Sequence, residues 1–223
     1  MGVGTLRATS DAPPERLPLS RDRVLRAAMA VADAGGIGAL TIRSLAQSLG
    51  VKPMSVYYYV ANKDEILDAI VDLVFAEIEL PVAGGVWRAE MARRANSARE
   101  VLRRHPWATA LLQSRVNPGP ATLRHHNAVI GSLREAGFSL EQTAHAFALI
   151  DSYVYGFALS EHALPINGPE SVAEIAGSMV EHFPVAEYPF LFEFTMQHVM
   201  QPDYDFGKEF EFGLNLILDG LAN

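Results

Sequence analysis

The sequence predicts an all-α protein: an N-terminal three-helix unit containing a helix-turn-helix, followed by a larger helical body. Three observations predict it. Apolar residues recur at helical spacing along nearly the whole chain, without strand-like alternation and without an internal repeat. Residues that start and stop helices punctuate this pattern at short intervals. Charge is also divided in two. From Arg16 to Lys63 seven lysines and arginines face only Asp22 and Asp33, whereas from Glu135 to the end fourteen acids face Lys208 alone. The formal net charge of −8 therefore does not exclude a nucleic-acid partner, because phosphate neutralisation is local and fades within a Debye length.

Residues 1–19 contain Pro13, Pro14 and Pro18 and no periodicity, and are expected to form a flexible arm whose Arg7 and Arg16 could track a DNA groove. Ser20 is a suitable N-cap for a first helix to about Ala34, with Val24, Ala28 and Val31 on one face and Gly35-Gly36 ending it. Thr41 caps a second, short helix in which Ile42, Leu45, Ala46 and Leu49 fall at i, i+3, i+4 and i+7. Gly50 follows where a left-handed residue is wanted. Pro53 fits the first turn of a third helix, since its missing N–H would have no intrahelical partner there. Asn62 caps a fourth helix reaching about Leu80, with Glu65 at the capping-box position and Ile66, Leu67, Ile70, Val71 and Val74 beneath. Pro81, Gly84 and Gly85 mark a seam. The head therefore spans 20–66, with the start of a linking helix at 62–80, and the body spans 67–223. Further helices are expected near 87–104, 106–114, 119–136, 139–162, 188–200 and 203–221. A long connection runs from Ala163 to Glu187, with a short helix through Val172, Ala176 and Met179.

Hydrophobic residues make up 49% of the chain, enough for a sizeable core. The absence of cysteine excludes disulfides, thiolate metal sites and cysteine nucleophiles. Met1–Ser20 has no apolar signal-type stretch, and no later run approaches the roughly 18 uninterrupted apolar residues of a membrane span. A cytoplasmic protein with no membrane partner is expected.

The segment from Leu40 to Val60 carries the most chemistry. Two short helices joined by a glycine-containing turn suit a helix-turn-helix, in which the second projects into a groove while the first braces it. In the second only Val56 and Val60 suit the core, which leaves Met54, Ser55, Tyr57, Tyr58 and Tyr59 largely outside. Adjacent exposed tyrosines suit a nucleic-acid surface, with hydroxyls to phosphates and rings against sugars and thymine methyls. One of the three could instead pack on neighbouring helices. Arg43 is placed to reach guanine O6 and N7, although an isolated arginine is also a common solvated charge. Lys63, at the start of the fourth helix, would meet a phosphate with help from the helix dipole.

Leu40-Thr41, Leu45-Ala46, Leu49-Gly50-Val51, Tyr57-Tyr58-Tyr59-Val60, Asn62-Lys63 and Leu67 resemble the DNA-binding signature of the tetracycline-repressor (TetR) family, over about residues 21–70. Trp87, Arg104-His105-Pro106 and the stretch from Leu133 to Glu161, with Ala136-Gly137-Phe138-Ser139-Leu140-Glu141 and Tyr155-Gly156, resemble the body of its tetracycline-repressor subclass. The resemblance implies a homodimeric transcription regulator, most simply a repressor, that binds double-stranded operator DNA and is released by a small-molecule effector in the body. It implies DNA contacts at Thr41, Arg43, Ser44, Pro53, Met54, Ser55, Tyr57, Tyr58, Tyr59 and Lys63.

In the body, the segment from Ser139 opens with a capping box to Gln142 and is then apolar nearly all round, so it must be covered on several sides. The last helix offers Phe206, Phe210, Leu214, Ile217 and Leu221, with Gly213 and Gly220 permitting close approach. The resemblance makes these helices, near 139–162 and 203–221, the homodimer bundle; the residues alone equally allow monomer core. Asp151 is the odd residue, because a carboxylate there needs a partner. It either hydrogen-bonds within the core or anchors a ligand beside Phe147, which shares its face. Trp107, Leu111, Ser114, His125 and Val129 are further candidates to line a cavity. Their low polarity suggests an apolar or aromatic effector.

Metal binding is not expected, and neither is a cofactor. His125 and His126 are adjacent and so point different ways on a helix. The tetracycline repressor holds the drug's magnesium with a pocket histidine; aligned on Ser114-Arg115, that position is Leu111, and Ser160 stands where a helping acid would be. That departure argues against magnesium-tetracycline as effector. Two alternatives are a DNA-binding regulator without an inducer and a helical enzyme using Asp151 and His145. No nucleophile elbow, phosphate loop or metal-spaced cluster accompanies those two residues.

Overall fold

The computed structural model describes residues 18–112, 114–164, 183–201 and 203–222, and every regular element among them is a helix. The expected N-terminal arm up to residue 17 and the short helix through Val172, Ala176 and Met179 lie outside the described residues.

Helix α1 (Arg21–Ala39) starts where the Ser20 hydroxyl accepts the Arg23 N–H at 3.2 Å. Gly36 breaks it at φ 73°, ψ 171°, a conformation open to glycine, so the long helix ends at the Gly35-Gly36 pair as expected and a further helical turn follows to Ala39. Helix α2 (Ile42–Leu49) begins with a reciprocal capping box: Thr41 Oγ1 accepts the Ser44 N–H at 3.0 Å and Ser44 Oγ accepts the Thr41 N–H at 2.9 Å. Gly50 closes it in the left-handed region at φ 66°, and the N–H of Val51 returns to the Ala46 carbonyl at 3.0 Å. Helix α3 (Pro53–Val56) is a single turn opened by proline. Helix α4 (Lys63–Glu77) starts at Asn62, whose side chain accepts the Glu65 N–H at 2.8 Å. The Glu65 carboxylate reaches past the cap residue to the Ala61 N–H at 2.6 Å and also takes Arg21 at 3.1 Å. Val24, Leu25 and Ala28 of α1 meet Leu45 and Ala46 of α2, Val56, Val60, Ile66 and Ile70 in one buried cluster.

The first half of α4 therefore belongs to the head, while the Phe75 ring further along meets His125 of the body. The helix stops at Glu77 rather than Leu80 because Ile78 is extended. Helix α5 (Trp87–Arg104) packs against α7 (Pro120–Glu135), α8 (Leu140–Ala163) and α10 (Phe206–Leu221), and α4 lies on α7. The single helix expected at 106–114 is instead a 3₁₀ turn (Pro106–Ala108) followed by α6 (Thr109–Leu112). The helix expected at 188–200 is a short α9 (Pro189–Phe194) running into a wider π-type turn at Thr195–Val199, closed by the Met200 N–H on the Thr195 carbonyl at 2.8 Å. Gly213 of α10 admits the Tyr153 ring of α8, whose hydroxyl lies 3.0 Å from the carbonyl oxygens of Glu209 and Phe210; a Cβ at Gly213 would stand 2.3 Å from that hydroxyl.

Candidate functional site

The turn at Gly50 and the proline start of α3 set the direction in which the third helix leaves the head. Val56 and Val60 point inward and are fully buried, which turns Met54 (70% exposed) and Tyr58 (85% exposed) outward. Tyr57 is also exposed, whereas Tyr59 is half-buried against the head core and is the one tyrosine that packs inward. Pro53 is exposed and Ser55 half-buried on the same turn. Thr41 and Ser44, expected to face DNA, direct their hydroxyls at the capping box, and Ser44 Oγ also donates to the Ala39 carbonyl at 2.7 Å. Arg43 and Lys63 are exposed, and among the described residues neither has an ion-pair or hydrogen-bond partner. Lys52, which N-caps α3, is exposed and unpaired in the same way and belongs with them; its signal in the sequence was its place directly before Pro53. By contrast Arg21 and Arg26 are engaged by Glu65 and Asp22. Arg43, Lys52 and Lys63 thus lie on α2, at the start of α3 and at the start of α4.

Helix α4 is tied to the body by a row of aspartates at four-residue spacing. Arg115 pairs with Asp68 and lies 3.4 Å from Asp64, while Asn117 donates to Asp68 at 3.3 Å. The Arg115 guanidinium holds the Asp68 carboxyl below its usual range. Asp72 caps α7 from outside: one oxygen accepts the Thr122 N–H (2.7 Å) and hydroxyl (2.8 Å), the other the Ala121 N–H (3.2 Å). Gly119 makes this approach possible, since a Cβ there would sit 2.3 Å from the Asp72 carboxyl carbon. At the other end of α4, His105 bridges Asp33 of α1 (2.7 Å) and Glu77 (3.3 Å), and the Trp107 indole donates to Asp33 at 2.6 Å. Trp107 therefore stands at the seam between head and body.

Inside the body, charged groups from three helices meet. Arg94 of α5 is fully buried and ion-pairs with Asp151 of α8 at 2.6 Å. Its Nε donates to Nε2 of buried His125 on α7 at 3.1 Å, and the Tyr155 hydroxyl donates to Asp151 at 3.3 Å. Burial, and then the neighbouring Arg94 charge, push the His125 pKa down to about 3. Burial raises that of the Tyr155 phenol. Aromatic rings flank the group: Phe75 lies 5.2 Å from His125 and 5.3 Å from His126, and Phe147 lies 5.4 Å from His126. Of the expected cavity residues, His125, Asp151 and Phe147 come together here, with Val129 buried one turn beyond His125. Leu111 is half-buried, whereas Ser114 is exposed and its hydroxyl turns back on the Ala110 and Leu111 carbonyls. The Trp107 indole is bonded to Asp33 instead, and the Ser114 hydroxyl to its own turn. Arg94 was absent from the expected set, because in the sequence it is one of several arginines on a charged helix and nothing local marks it as buried.

Residues 24–70 match the family described as bacterial regulatory proteins, tetR family, and residues 80–223 match tetracyclin repressor-like, C-terminal domain. The chain belongs to the TetR family. This TetR-family chain is 33% identical over 220 residues to the HTH-type transcriptional repressor DrrR1 of Streptomyces coeruleorubidus, covering 93% of this chain and 80% of that protein. It is 30% identical over 209 residues to the class A tetracycline repressor from transposon 1721 of Escherichia coli, covering 92% and 91%. The structure of ActR from Streptomyces coelicolor in complex with actinorhodin superposes with a TM-score of 0.75 at 28% identity, covering 92% of this chain and 96% of that one. Membership makes the TetR-family chain a DNA-binding, ligand-responsive transcriptional regulator and not an enzyme. Among the described residues no three acids or histidines are grouped to hold a metal ion, and no helix is long and apolar enough to cross a membrane.

Proposed function

We propose that the chain is a homodimeric repressor that binds a palindromic operator and is released by a small, largely apolar or aromatic molecule held in its body. The observation that carries this reading is α4, whose first residue, Lys63, is exposed with no partner among the described residues while Asp64, Asp68 and Asp72 are bonded to the body. The head, residues 20–66, reads DNA: Arg43 at a guanine edge, Tyr57 and Tyr58 at sugar and phosphate, Lys52 and Lys63 at phosphates. The body, residues 67–223, senses the effector. Two recognition helices must sit about one helical turn, roughly 34–36 Å, apart to enter successive major grooves. An effector that favours a different α4 position lowers operator affinity in proportion to its preference for that state. The aromatic character of the effector is supported by the rings around His125 and by the ligand named in the ActR complex. Dimerisation is supported by the outward faces of α8 and α10, which leave Leu149, Leu159, Phe212 and Leu216 at least half exposed.

The test is a DNA-protection assay on the region around the chain's own gene. The unmutated protein gives a two-half-site footprint. Arg43→Ala and Tyr58→Ala each weaken it by about 1–3 kcal/mol, on the order of ten- to a hundredfold. Absence of a sequence-selective footprint overturns the reading. Light scattering gives twice the chain mass, and Phe212→Arg gives the monomer; an unmutated monomer removes the dimer.

A further inference from the structure

Helix α3 carries little hydrogen-bonding equipment on its outer face. Val56 and Val60, four residues apart, are buried in the head, so the opposite face carries Met54 and Tyr58, also four residues apart, with Tyr57 beside them. All three are exposed. From Pro53 to Val60 there is no arginine, lysine, asparagine, glutamine or acid, the side chains that read a base edge by paired or charge-assisted hydrogen bonds. The segment offers single hydroxyls on Ser55, Tyr57, Tyr58 and Tyr59, of which Ser55 and Tyr59 are half-buried, and the thioether of Met54. Met54 is the second residue of the helix, and the opening residues of a recognition helix are the ones that meet base edges. Lys52, two positions before it, is exposed and has no partner among the described residues, so the surface beside Met54 carries the charge that phosphates need.

Resting on the reading that the head binds operator DNA, we infer that Met54 is a specificity-determining residue whose side chain reads the C5-methyl group of one thymine in each half-site. Helix α3 then selects its base pair by apolar contact, while the guanine edge is left to Arg43 on α2. The thymine methyl is the one apolar feature that the four base pairs present in the major groove. A thioether chain, with three rotatable bonds and a polarisable sulfur, follows such a methyl without a fixed hydrogen-bond geometry. Cytosine at the same place would turn its N4 amino group toward a side chain with no good acceptor, and a desolvated donor without a partner costs free energy. Uracil keeps every polar group of thymine and lacks only the methyl. 5-Methylcytosine keeps the methyl and changes the polar groups. These two bases separate the apolar contact from everything else that thymine presents.

The experiment uses the full-length protein and the duplex it protects in the footprint, titrated by fluorescence anisotropy. Each thymine is replaced in turn by uracil, symmetrically in both half-sites. Uracil at one position should weaken binding about fourfold per half-site, and so about fifteenfold for the symmetric pair, the effect of one methyl group no longer buried. Cytosine at that position should weaken binding further, and 5-methylcytosine should recover about the same fifteenfold. Met54→Ala should bind the thymine and uracil duplexes equally, whereas Met54→Leu, which keeps an apolar side chain of similar volume, should still tell them apart. The uracil scan with the unmutated protein needs no variant to fold. Indifference to uracil at every position, a thymine preference that survives Met54→Ala, or equal binding of cytosine and 5-methylcytosine overturns the inference. In each of those cases the repressor reading stands, because the footprint has already defined the duplex. A missing sequence-selective footprint overturns that reading, and the inference falls with it.

Discussion

The head and the body place their polar side chains in opposite ways. On the edge proposed to read DNA, Arg43, Lys52 and Lys63 stand in solvent with no partner among the described residues, and Tyr58 projects almost fully exposed. In the body Arg94, His125 and Asp151 are withdrawn from water and bonded to one another. A surface that must exchange water for phosphate keeps its charges free, while a buried charge persists only when paired. Substitutions at the edge should therefore change binding and spare stability, and substitutions in the cluster should do the reverse.

The largest expected effect is Arg94→Met, which strands a buried carboxylate and should cost about 3–5 kcal/mol in urea unfolding. Adding Asp151→Leu should recover most of it, because the stranded charge is then gone. If the double variant is as unstable as the single one, packing and not charge holds this region together. Next comes pH. The unfolded His125 protonates at its ordinary value of 6.5, whereas the folded ring resists to about 3, so between these values the unfolded chain binds more protons. Stability is full above 6.5 and falls on acidification by about 1.4 kcal/mol per pH unit. Asp68, held down first by its bond from Arg115, adds a loss of the same sign as pH falls into the carboxylate range. Urea titrations at neutral and mildly acid pH should show this slope, and His125→Phe should flatten it.

In the head, Thr41→Ala removes half of the α2 capping box and should cost about 1 kcal/mol. Smallest of all, Tyr58→Ala should leave the unfolding midpoint within about 0.5 kcal/mol of the parent while the operator footprint weakens. A large loss of stability there would mean the ring packs on the protein, and the contrast between edge and cluster would fail.

The same contrast explains what was legible in the sequence. Ser20, Thr41, Gly50, Pro53, Asn62 and Ser139 act over a few residues through cap and turn geometry, and each stands where local rules put it. Gly36 belongs with them, since it takes a positive-φ, non-helical conformation and breaks the first helix where the glycine pair put the stop. Of the three tyrosines, Tyr59 was not separable from its neighbours until the packing of the head placed it. The body cluster was half legible. Asp151 announced a missing partner, but the partner lies on another helix, and only tertiary packing brings Arg94 and His125 to it.

The aspartate row on α4 also governs how that helix can move. With 1.5 Å of rise per residue, Asp64, Asp68 and Asp72 span about 12 Å along one side, all held by residues 115–122. Rolling α4 about its own axis would carry all three carboxylates off their partners together. Tilting it about the Asp72 end, where three donors converge on one carboxylate, keeps that grip and displaces most the end that bears Lys63. On the function proposed above, α4 would turn about its Asp72 end in the body, and the end that bears Lys63 would travel furthest.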